Sequence, residues 1–376
     1  MRGFASAFNY LSPDYSWSQV NAIARRRFAN QHLLSPLGSA TAVVRSLGAV
    51  QSQDYGSAKW ALAQRASGLT DAAVERAFAS GAILRTHVLR PTWHFILPED
   101  ARWMLELTAP RIRAAQAYHA RSLGLTASVF RKSNRVLERA LEGGKQRTRS
   151  ELALLLGRGG VRALTGEHVG QLLIRAELDR VIISGPRRGK QFTYALFDDR
   201  VPASPPRDHD AALLDLIRRY FRTRGPATLQ DFAWWSGLTV ADATRGVAAA
   251  GITLKRFIED GRTYWHVPPR GARRSLRVAH LLPNFDEYVV GFRDRSAVAE
   301  RLLAVRPRQR VDGLIGHVVV VDGQIVGGWR RTVGNTLDVR LRPWVPLSAS
   351  ELDLLRRAAQ RFGRFLGLPL RLSRRA

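Results

Sequence analysis

The sequence has no cysteine, which excludes disulfide bridges, thiolate metal sites, iron–sulfur clusters and cysteine nucleophiles. Its nine histidines show no His-Glu-x-x-His or similar ligand spacing, so we expect neither a metal nor any other cofactor. A nucleotide-binding glycine loop, a Ser-His-Asp signature and a kinase motif are also missing. If the protein is an enzyme, its chemistry must therefore depend on less usual groups.

Long apolar runs are absent too. The first residues lack the apolar stretch of a signal peptide, and no segment approaches the length of a membrane span. We therefore expect a soluble cytoplasmic protein, associated with the nucleoid, that is monomeric and does not contact membranes.

Acidic residues are scarce relative to basic ones. The chain carries 59 Lys and Arg against 31 Asp and Glu, a net charge of +28, and nearly all the basic residues are arginine. Such a charge attracts polyanions, and the arginine fork matches phosphate and stacks on bases. G+C-rich coding would explain arginine in place of lysine, but not the excess over acids. We therefore expect a nucleic acid as the partner.

Signals for helices and hairpins recur along the chain. Three predicted helices and a two-stranded ribbon fill the first hundred residues. Thr148 and Thr228 then each begin a Thr-x-x-acid-apolar-Ala cap, followed in both cases by a second helix and a ribbon. This order is typical of winged helices. The last hundred residues favour strands and a helix that begins near Ser348.

The predicted fold is therefore α+β, with three tandem winged-helix modules followed by a small C-terminal β-barrel and a closing helix. The first module spans 1–98, and the second, with its buttressing helices, spans 99–204. The third module spans 205–270 and the barrel 271–376.

Gln51 and Gln53 follow a predicted helix over residues 40–50. An extended backbone would point both amides to one side, whereas on a helix they would diverge by about 200°. A shared chemical role therefore requires a helix end or loop, with which the following Gly56 and Ser57 are compatible. Spacing alone favours a plainer interpretation, two exposed glutamines at a helix end.

Three sequence blocks resemble a known family. Val-Gln-Ser-Gln-Asp at 50–54 resembles the Gln-x-Gln motif of the AlkZ-like branch of the AlkZ/YcaQ winged-helix DNA glycosylase superfamily, whose other branch typically has Gln-x-Asp. Arg-Thr-His-Val-Leu-Arg-Pro-Thr-Trp-His at 85–94 resembles its Arg-Thr-x-x-x-Arg-x-Thr-x-His ribbon, with Pro91 replacing a glycine. LLPNFDEY at 281–288 and GFRDR at 291–295 resemble its C-terminal signature. The likeness spans residues 17 to 370 in order.

This resemblance implies an enzyme that excises alkylated bases, notably N7-alkylpurines, from duplex DNA, and that in some members unhooks interstrand crosslinks. Gln51 and Gln53 would be the catalytic pair. An N7-alkylpurine is cationic and already a good leaving group, so amides that hold a water and stabilise an oxocarbenium-like sugar would suffice. Lys59 is the only lysine near the motif, which disfavours a Schiff-base lyase step.

Other residues are secondary candidates. The ribbon residues Arg85, His87, Arg90 and His94 are predicted DNA contacts, with core packing as the alternative for the histidines. Arg187, Arg188 and Lys190 form a predicted wing tip that contacts phosphate or is simply solvated. Asp286, Asp294 and Arg295 either line the site or pair structurally, the carboxylates with Arg293 and Arg295. Trp234 and Trp235 cannot share one helical face, so one of them is a candidate for exposure.

A non-enzymatic winged-helix DNA-binding protein, such as a regulator, is the rival hypothesis. It predicts tight binding to one operator, whereas a glycosylase predicts salt-sensitive, sequence-tolerant binding. The glutamine pair separates the two hypotheses, because a regulator has no need of it.

Overall fold

The computed structural model describes residues 21–161, 165–268 and 277–374. The α-helices of this part are α1 (Ala22–Asn30), α2 (Ala40–Leu47), α3 (Tyr55–Ala63), α4 (Asp71–Ser80), α5 (Pro98–Ser122), α6 (Ala127–Leu141), α7 (Arg149–Arg158), α8 (Gly166–Leu178), α9 (Phe197–Arg200), α10 (His209–Arg224), α11 (Leu229–Ser236), α12 (Val240–Ala250), α13 (Glu287–Val290), α14 (Glu300–Val305) and α15 (Ala349–Leu366). The strands are β1 (Val50–Gln51), β2 (Leu84–His87), β3 (Trp93–Ile96), β4 (Arg147–Thr148), β5 (Ile182–Ser184), β6 (Thr193–Leu196), β7 (Lys255–Glu259), β8 (Arg262–His266), β9 (Ala279–Leu282), β10 (Val318–Val321), β11 (Gln324–Val333), β12 (Leu337–Pro343) and β13 (Leu370–Arg374).

One arrangement of elements occurs three times. In each case a helix leads into a short extended segment, two further helices follow, and a β-hairpin closes the unit by pairing its second strand with the extended segment. The first unit has sheet order β1-β3-β2 and the second has β4-β6-β5. In the third unit, a single bridge between Ala227 and Trp265 on β8 takes the place of the short strand. The repeat predicted from caps and hairpins is thus present as repeated topology.

The helix starts follow the predicted caps. Thr148 and Thr228 each accept from the backbone three residues on, while Glu151 and Asp231 return a side-chain contact to the cap, forming capping boxes. Ser348 and Glu351 do the same at the start of α15. These reciprocal bonds satisfy backbone donors that a helix start leaves without partners.

The first unit departs from the prediction. The helix predicted over 40–50 ends at Leu47, because Gly48 takes a left-handed conformation with φ of 79° and lets the chain turn into β1. Residues 55–63, for which no helix was predicted, form α3, capped by Asp54. The unit's three helices are therefore α2, α3 and α4, and Gln51 lies on its first strand.

The C-terminal region also differs from the prediction. Its strands form a five-stranded sheet of order β13-β12-β11-β10-β9, so within the described residues β9 and β13 are edges and no closed barrel exists. The stretch predicted as a strand over 277–290 is strand only in β9, and it ends in the short helix α13. The predicted module boundary at residue 270 lies outside the described residues.

Three hydrophobic cores stabilise the molecule. The largest joins α1–α4 to the C-terminal sheet and α15, whose predicted apolar face of Leu355, Ala358, Phe362 and Phe365 is buried in it. A second core joins β2, β3 and α5 to the third unit, and a third core lies within the second unit. The first unit is thus held between the C-terminal sheet and the third unit. None of the described helices is long and apolar enough to cross a membrane.

Candidate active site

Gln51 and Gln53 lie where β1 gives way to α3. Gln51 is paired with His94 of β3 and is only 8% exposed, whereas Gln53 is exposed in the turn that follows. The backbone N–H of Trp93 donates to Oε1 of Gln53 at 3.4 Å. The pair is therefore not on a helix. A short strand and a turn carry it, as a shared chemical role requires.

Arg90 determines how the Gln51 amide is oriented. Its Nη2 donates to Oε1 of Gln51 at 2.8 Å, which turns the amide oxygen of Gln51 towards the guanidinium. Burial lowers the pKa of Arg90, with the Arg224 charge acting in the same direction and the Glu287 charge opposing it. The guanidinium nevertheless stays charged at neutral pH, so Gln51 is held by a charge-assisted hydrogen bond.

Glu287, at the start of α13, holds the backbone of the same residue. Its Oε1 accepts from the backbone N–H of Gln51 at 2.8 Å. Its Oε2 accepts from Nη2 of Arg224 at 2.5 Å and from Nε1 of Trp235 at 3.0 Å. Glu287 and Arg224 are both fully buried, so the pair acts in a medium of low dielectric.

Arg224, at the end of α10, completes this support. Its guanidinium donates to the carbonyls of Leu47 and Ala49 at 2.9 and 3.2 Å and lies 4.3 Å from the ring of Trp235. The turn before Gln51 and the residue itself are thus fixed by one buried ion pair from distant segments. Neither Arg224 nor Glu287 was predicted as a site residue. Glu287 does lie within the family-like block at 281–288, and this was the one available signal.

Two of the predicted DNA contacts on the ribbon, Arg85 and His87, support the glutamine segment. Arg85 donates to the carbonyl of Ser52 at 3.1 and 3.0 Å and stacks on Trp93 and Phe192. His87 is bonded to Glu177 and packs on Trp93 at 4.4 Å. Both are buried. In the free protein they fix the loop, and their contact with DNA stays a prediction.

His94 is fully buried beside Gln51. Burial, reinforced by the Arg90 charge, holds the pKa of His94 well below its usual value, so the ring is neutral. Its Nδ1–H donates to the carbonyl of Thr92 at 2.9 Å. Among the described residues, its Nε2 finds no partner and is left as an acceptor inside the site. The core alternative thus describes His94 in the free protein.

Lys59 is not available as a nucleophile in the free protein. Its Nζ pairs with Asp71 at 2.8 Å and with Glu75 at 3.0 Å, and its side chain is 7% exposed. The amine is thus engaged by two carboxylates and shielded from solvent. In addition, the structure describes no cluster of His, Asp or Glu that could hold a metal.

The predicted wing tip is partly tied down. Arg187 lies over the rings of Tyr55 and Phe192 and pairs with Glu75 at 3.4 Å. Arg188 pairs with Glu151 at 2.8 Å. Lys190 is exposed at the tip. Phosphate contact by these three residues stays a prediction, and Arg188 and Lys190 are the exposed ones among them.

The acidic candidates pair differently from the prediction. Asp286 bonds both oxygens to Arg65, at 2.8 and 2.7 Å, rather than to Arg293 or Arg295, and is buried. Asp294 pairs with Arg262. Arg295 is buried and donates to the carbonyls of Val289 and Asp312. The arginine partners, Arg65 and Arg262, come from segments far away in the sequence, so sequence proximity could not indicate these pairs.

Comparisons with known proteins point to one family. The model of the AlkZ-like DNA glycosylase family matches residues 44–365. An interstrand DNA cross-link repair glycosylase from Streptomyces sahachiroi is 27% identical over 330 residues, covering 84% of this chain and 87% of that protein. The structure of the Streptomyces sahachiroi DNA glycosylase AlkZ superposes with a TM-score of 0.76 at 24% identity, covering 96% of this chain and 100% of the other. The match of the family model over most of the sequence, glutamine segment included, shows that the chain belongs to the AlkZ-like DNA glycosylase family.

Proposed function

We propose that this glycosylase hydrolyses the N-glycosidic bond of N7-alkylpurine nucleotides in duplex DNA, with Gln51 and Gln53 as its catalytic residues. The observation that carries the proposal is the support of Gln51. A half-buried arginine orients its amide, and a buried carboxylate holds its backbone. A glutamine with only a structural role at a helix end would not need such support.

Two neutral amides suit a base that is ready to leave. Alkylation at N7 places a positive charge on the purine, so its departure needs no proton from the enzyme. What remains is to hold a water near C1′ and to stabilise the positive charge that develops on the sugar. The amide oxygens can do both, because each keeps a second acceptor position beside its bond to Arg90 or to the Trp93 backbone.

The proposed reaction ends at an abasic site. A lyase step needs an amine free to attack the sugar, and the Lys59 amine is buried and paired with Asp71 and Glu75. We therefore propose a monofunctional enzyme. We also propose that it acts as a monomer.

We further propose that the three repeated units are winged helices that bind duplex DNA. The pairing of the segment before the second helix with the last hairpin strand supports this, because that topology defines the motif. Their proposed bounds are 1–98, 99–204 and 205–270, with the C-terminal sheet in 271–376. The net charge of +28 supports phosphate contact by the wing-tip residues, including Lys190.

The relative named for interstrand cross-link repair supports a wider substrate range. Crosslinks formed at N7 of two guanines carry the same cationic leaving group on each strand. We therefore propose that the enzyme also unhooks such crosslinks.

The test is product analysis with the purified protein. Duplex DNA carrying one N7-methylguanine should release the free base and leave an abasic site, with strand cleavage only after alkali. A duplex crosslinked through N7 should yield separable strands. Absence of free base above the spontaneous rate would contradict the proposal, and cleavage without alkali would contradict its monofunctional part.

A further inference from the structure

Two adjacent tryptophans on α11 have opposite environments. Trp235 is fully buried and bonded to Glu287, whereas Trp234 is 45% exposed. Exposing a large aromatic surface to water is unfavourable, and surface tryptophans are enriched where a ligand or partner covers them. The exposed ring of Trp234 therefore needs an explanation beyond packing.

The Trp234 ring is fixed in place. Its Nε1 donates to the carbonyl of Val290 at 3.1 Å, which ties the indole to the end of α13. The helix that carries it ends at Gly237, in the left-handed conformation, directly against the carbonyl of Leu89. A side chain at position 237 would collide with that carbonyl, so the glycine allows α11 to lie against the ribbon turn.

This contact brings the tryptophan close to the catalytic segment. The guanidinium of Arg90, which donates to the Gln51 amide, lies 5.9 Å from the centre of the Trp234 ring. One arginine side chain thus separates the exposed indole from Gln51. A group stacked on Trp234 would lie within reach of a nucleotide whose sugar is at Gln51.

Trp234 also lines a large open pocket. The pocket has a volume of about 970 Å³ and lies between the third unit and the C-terminal region. Arg256 and Arg293 line it and are exposed. Volumes of roughly 300–1,000 Å³ are typical of small-molecule sites, so the space accommodates a base with a bulky substituent.

Arg295 supplies a hydrogen-bond donor at the same place. It lines the pocket, its guanidinium lies 5.9 Å from the Trp234 ring, and its side chain is 2% exposed. Two of its nitrogens bond backbone carbonyls, but Nη2 has no partner within the part of the chain that the structure describes. A buried donor without an acceptor is unfavourable, and an acceptor on a ligand would remove that cost.

We propose that Trp234 and Arg295 form a binding subsite for the planar aromatic part of the lesion. The indole stacks on a purine ring or on an aromatic group attached to it, and Nη2 of Arg295 donates to a ring oxygen or nitrogen. This subsite rests on the proposed function, since it assigns the damaged base to the pocket that Trp234 lines, which the Arg90 side chain separates from Gln51. The subsite would bind the lesion, whereas undamaged duplex would be bound by the three repeated units.

Equilibrium binding tests the subsite apart from catalysis. The probes are duplexes with 2′-fluoro-N7-methylguanine or 2′-fluoro-N7-benzylguanine, in which fluorine slows base loss, and an undamaged duplex. Trp234→Leu should weaken binding of a lesion duplex about tenfold, the loss expected for one base–aromatic stack. Binding of undamaged duplex should change less than about twofold. Tyr118→Leu, which removes another exposed aromatic (78% exposed), is the matched control and should change neither.

The two lesions separate the two sources of the aromatic ring. An equal loss for methyl and benzyl lesions assigns the purine to Trp234, and a loss for the benzyl lesion alone assigns the substituent. Trp234→Phe should retain most of the affinity, which separates stacking from folding. Wild-type affinity of Trp234→Leu for both lesions, or an equal loss for undamaged DNA, would overturn the subsite. Base release by the wild-type enzyme is measured separately, so it can succeed while the subsite fails.

Discussion

Arg90 contacts the Gln51 amide in the free protein, whereas its place in a basic ribbon suggested a phosphate contact. The two roles predict different defects. A positioning residue affects the chemical step, while a phosphate contact affects affinity and its dependence on salt. A single conservative substitution separates them.

Arg90→Lys keeps the charge but not the planar fork that reaches the amide oxygen. Loss of a charge-assisted bond of about 1.5–3 kcal/mol should slow single-turnover release of N7-methylguanine at least about tenfold. The Kd for undamaged duplex and its salt slope should stay close to the wild-type values. A wild-type rate combined with weaker, less salt-dependent binding would assign Arg90 to phosphate instead.

At the same scale, sequence alone identified only part of the site. Gln51 and Gln53 stand out through the family resemblance, not through their spacing. Glu287 is 236 residues away from the backbone N–H that it holds, and no local pattern indicates such a contact. Buried ion pairs are fixed by tertiary packing, so they become visible only when the chain is folded.

At the scale of secondary-structure elements, one ion pair ties β1 to α10 and α13. Glu287 on α13 bonds Gln51 on β1, and Arg224 on α10 bonds both Glu287 and the turn before β1. The neighbouring Asp286 forms an equally buried pair with Arg65, whose other hydrogen bonds go to Ala61 and Gln31 rather than to β1. The two pairs are therefore a matched set for separating stability from positioning.

Glu287→Gln and Asp286→Asn should both destabilise the protein, by about 3–5 kcal/mol, because each leaves a buried arginine without its carboxylate. Only Glu287→Gln should also slow single-turnover base release, by about tenfold or more, since it alone disturbs the segment that carries Gln51. The rates are compared at a temperature where circular dichroism shows both variants folded. Equal rates for the two variants would mean that Glu287 acts on stability alone.

Element prediction succeeded where signals are local. Thr148, Thr228 and Ser348 cap helices as predicted, because capping depends on residues three apart. It failed at α3, whose residues are buried nearly all round and show no polar face, so helical periodicity is missing. The sequence also could not show that the C-terminal sheet stays open with β9 and β13 as its edges, since strand content does not determine whether a sheet closes into a barrel.

At the scale of the whole molecule, the first unit and the C-terminal sheet share one core although they lie far apart in the chain. Each of these two parts contains a fully buried histidine, His94 in the first unit and His280 in the C-terminal sheet. Burial, with the charge of Arg90 for His94 and of Arg361 for His280, holds the pKa of each well below its usual value. Both are neutral in the folded protein at pH values where an exposed histidine is protonated.

Stability should therefore fall in mild acid. Above about pH 6.5 the two histidines are neutral in both the folded and the unfolded protein. Below that pH they become protonated in the unfolded chain but stay neutral in the folded protein. Each histidine then costs about 1.4 kcal/mol per pH unit until its folded pKa is reached. Urea unfolding should show a clear drop in the free energy of unfolding from pH 7 to pH 5, above the range where ordinary carboxyls titrate. A flat profile over that interval would show that these rings accept protons when folded.

The catalytic role of the glutamine pair is the central claim, and single-turnover release of N7-methylguanine tests it most directly. At a temperature where both proteins are folded, the Gln51→Ala, Gln53→Ala double variant should lose at least about a hundredfold in rate while it binds undamaged duplex like the wild type. Gln360→Ala, which removes an exposed glutamine on α15, should release base at the wild-type rate. Equal rates for the double variant and the wild type, both above the spontaneous background, would contradict the assignment of catalysis to Gln51 and Gln53.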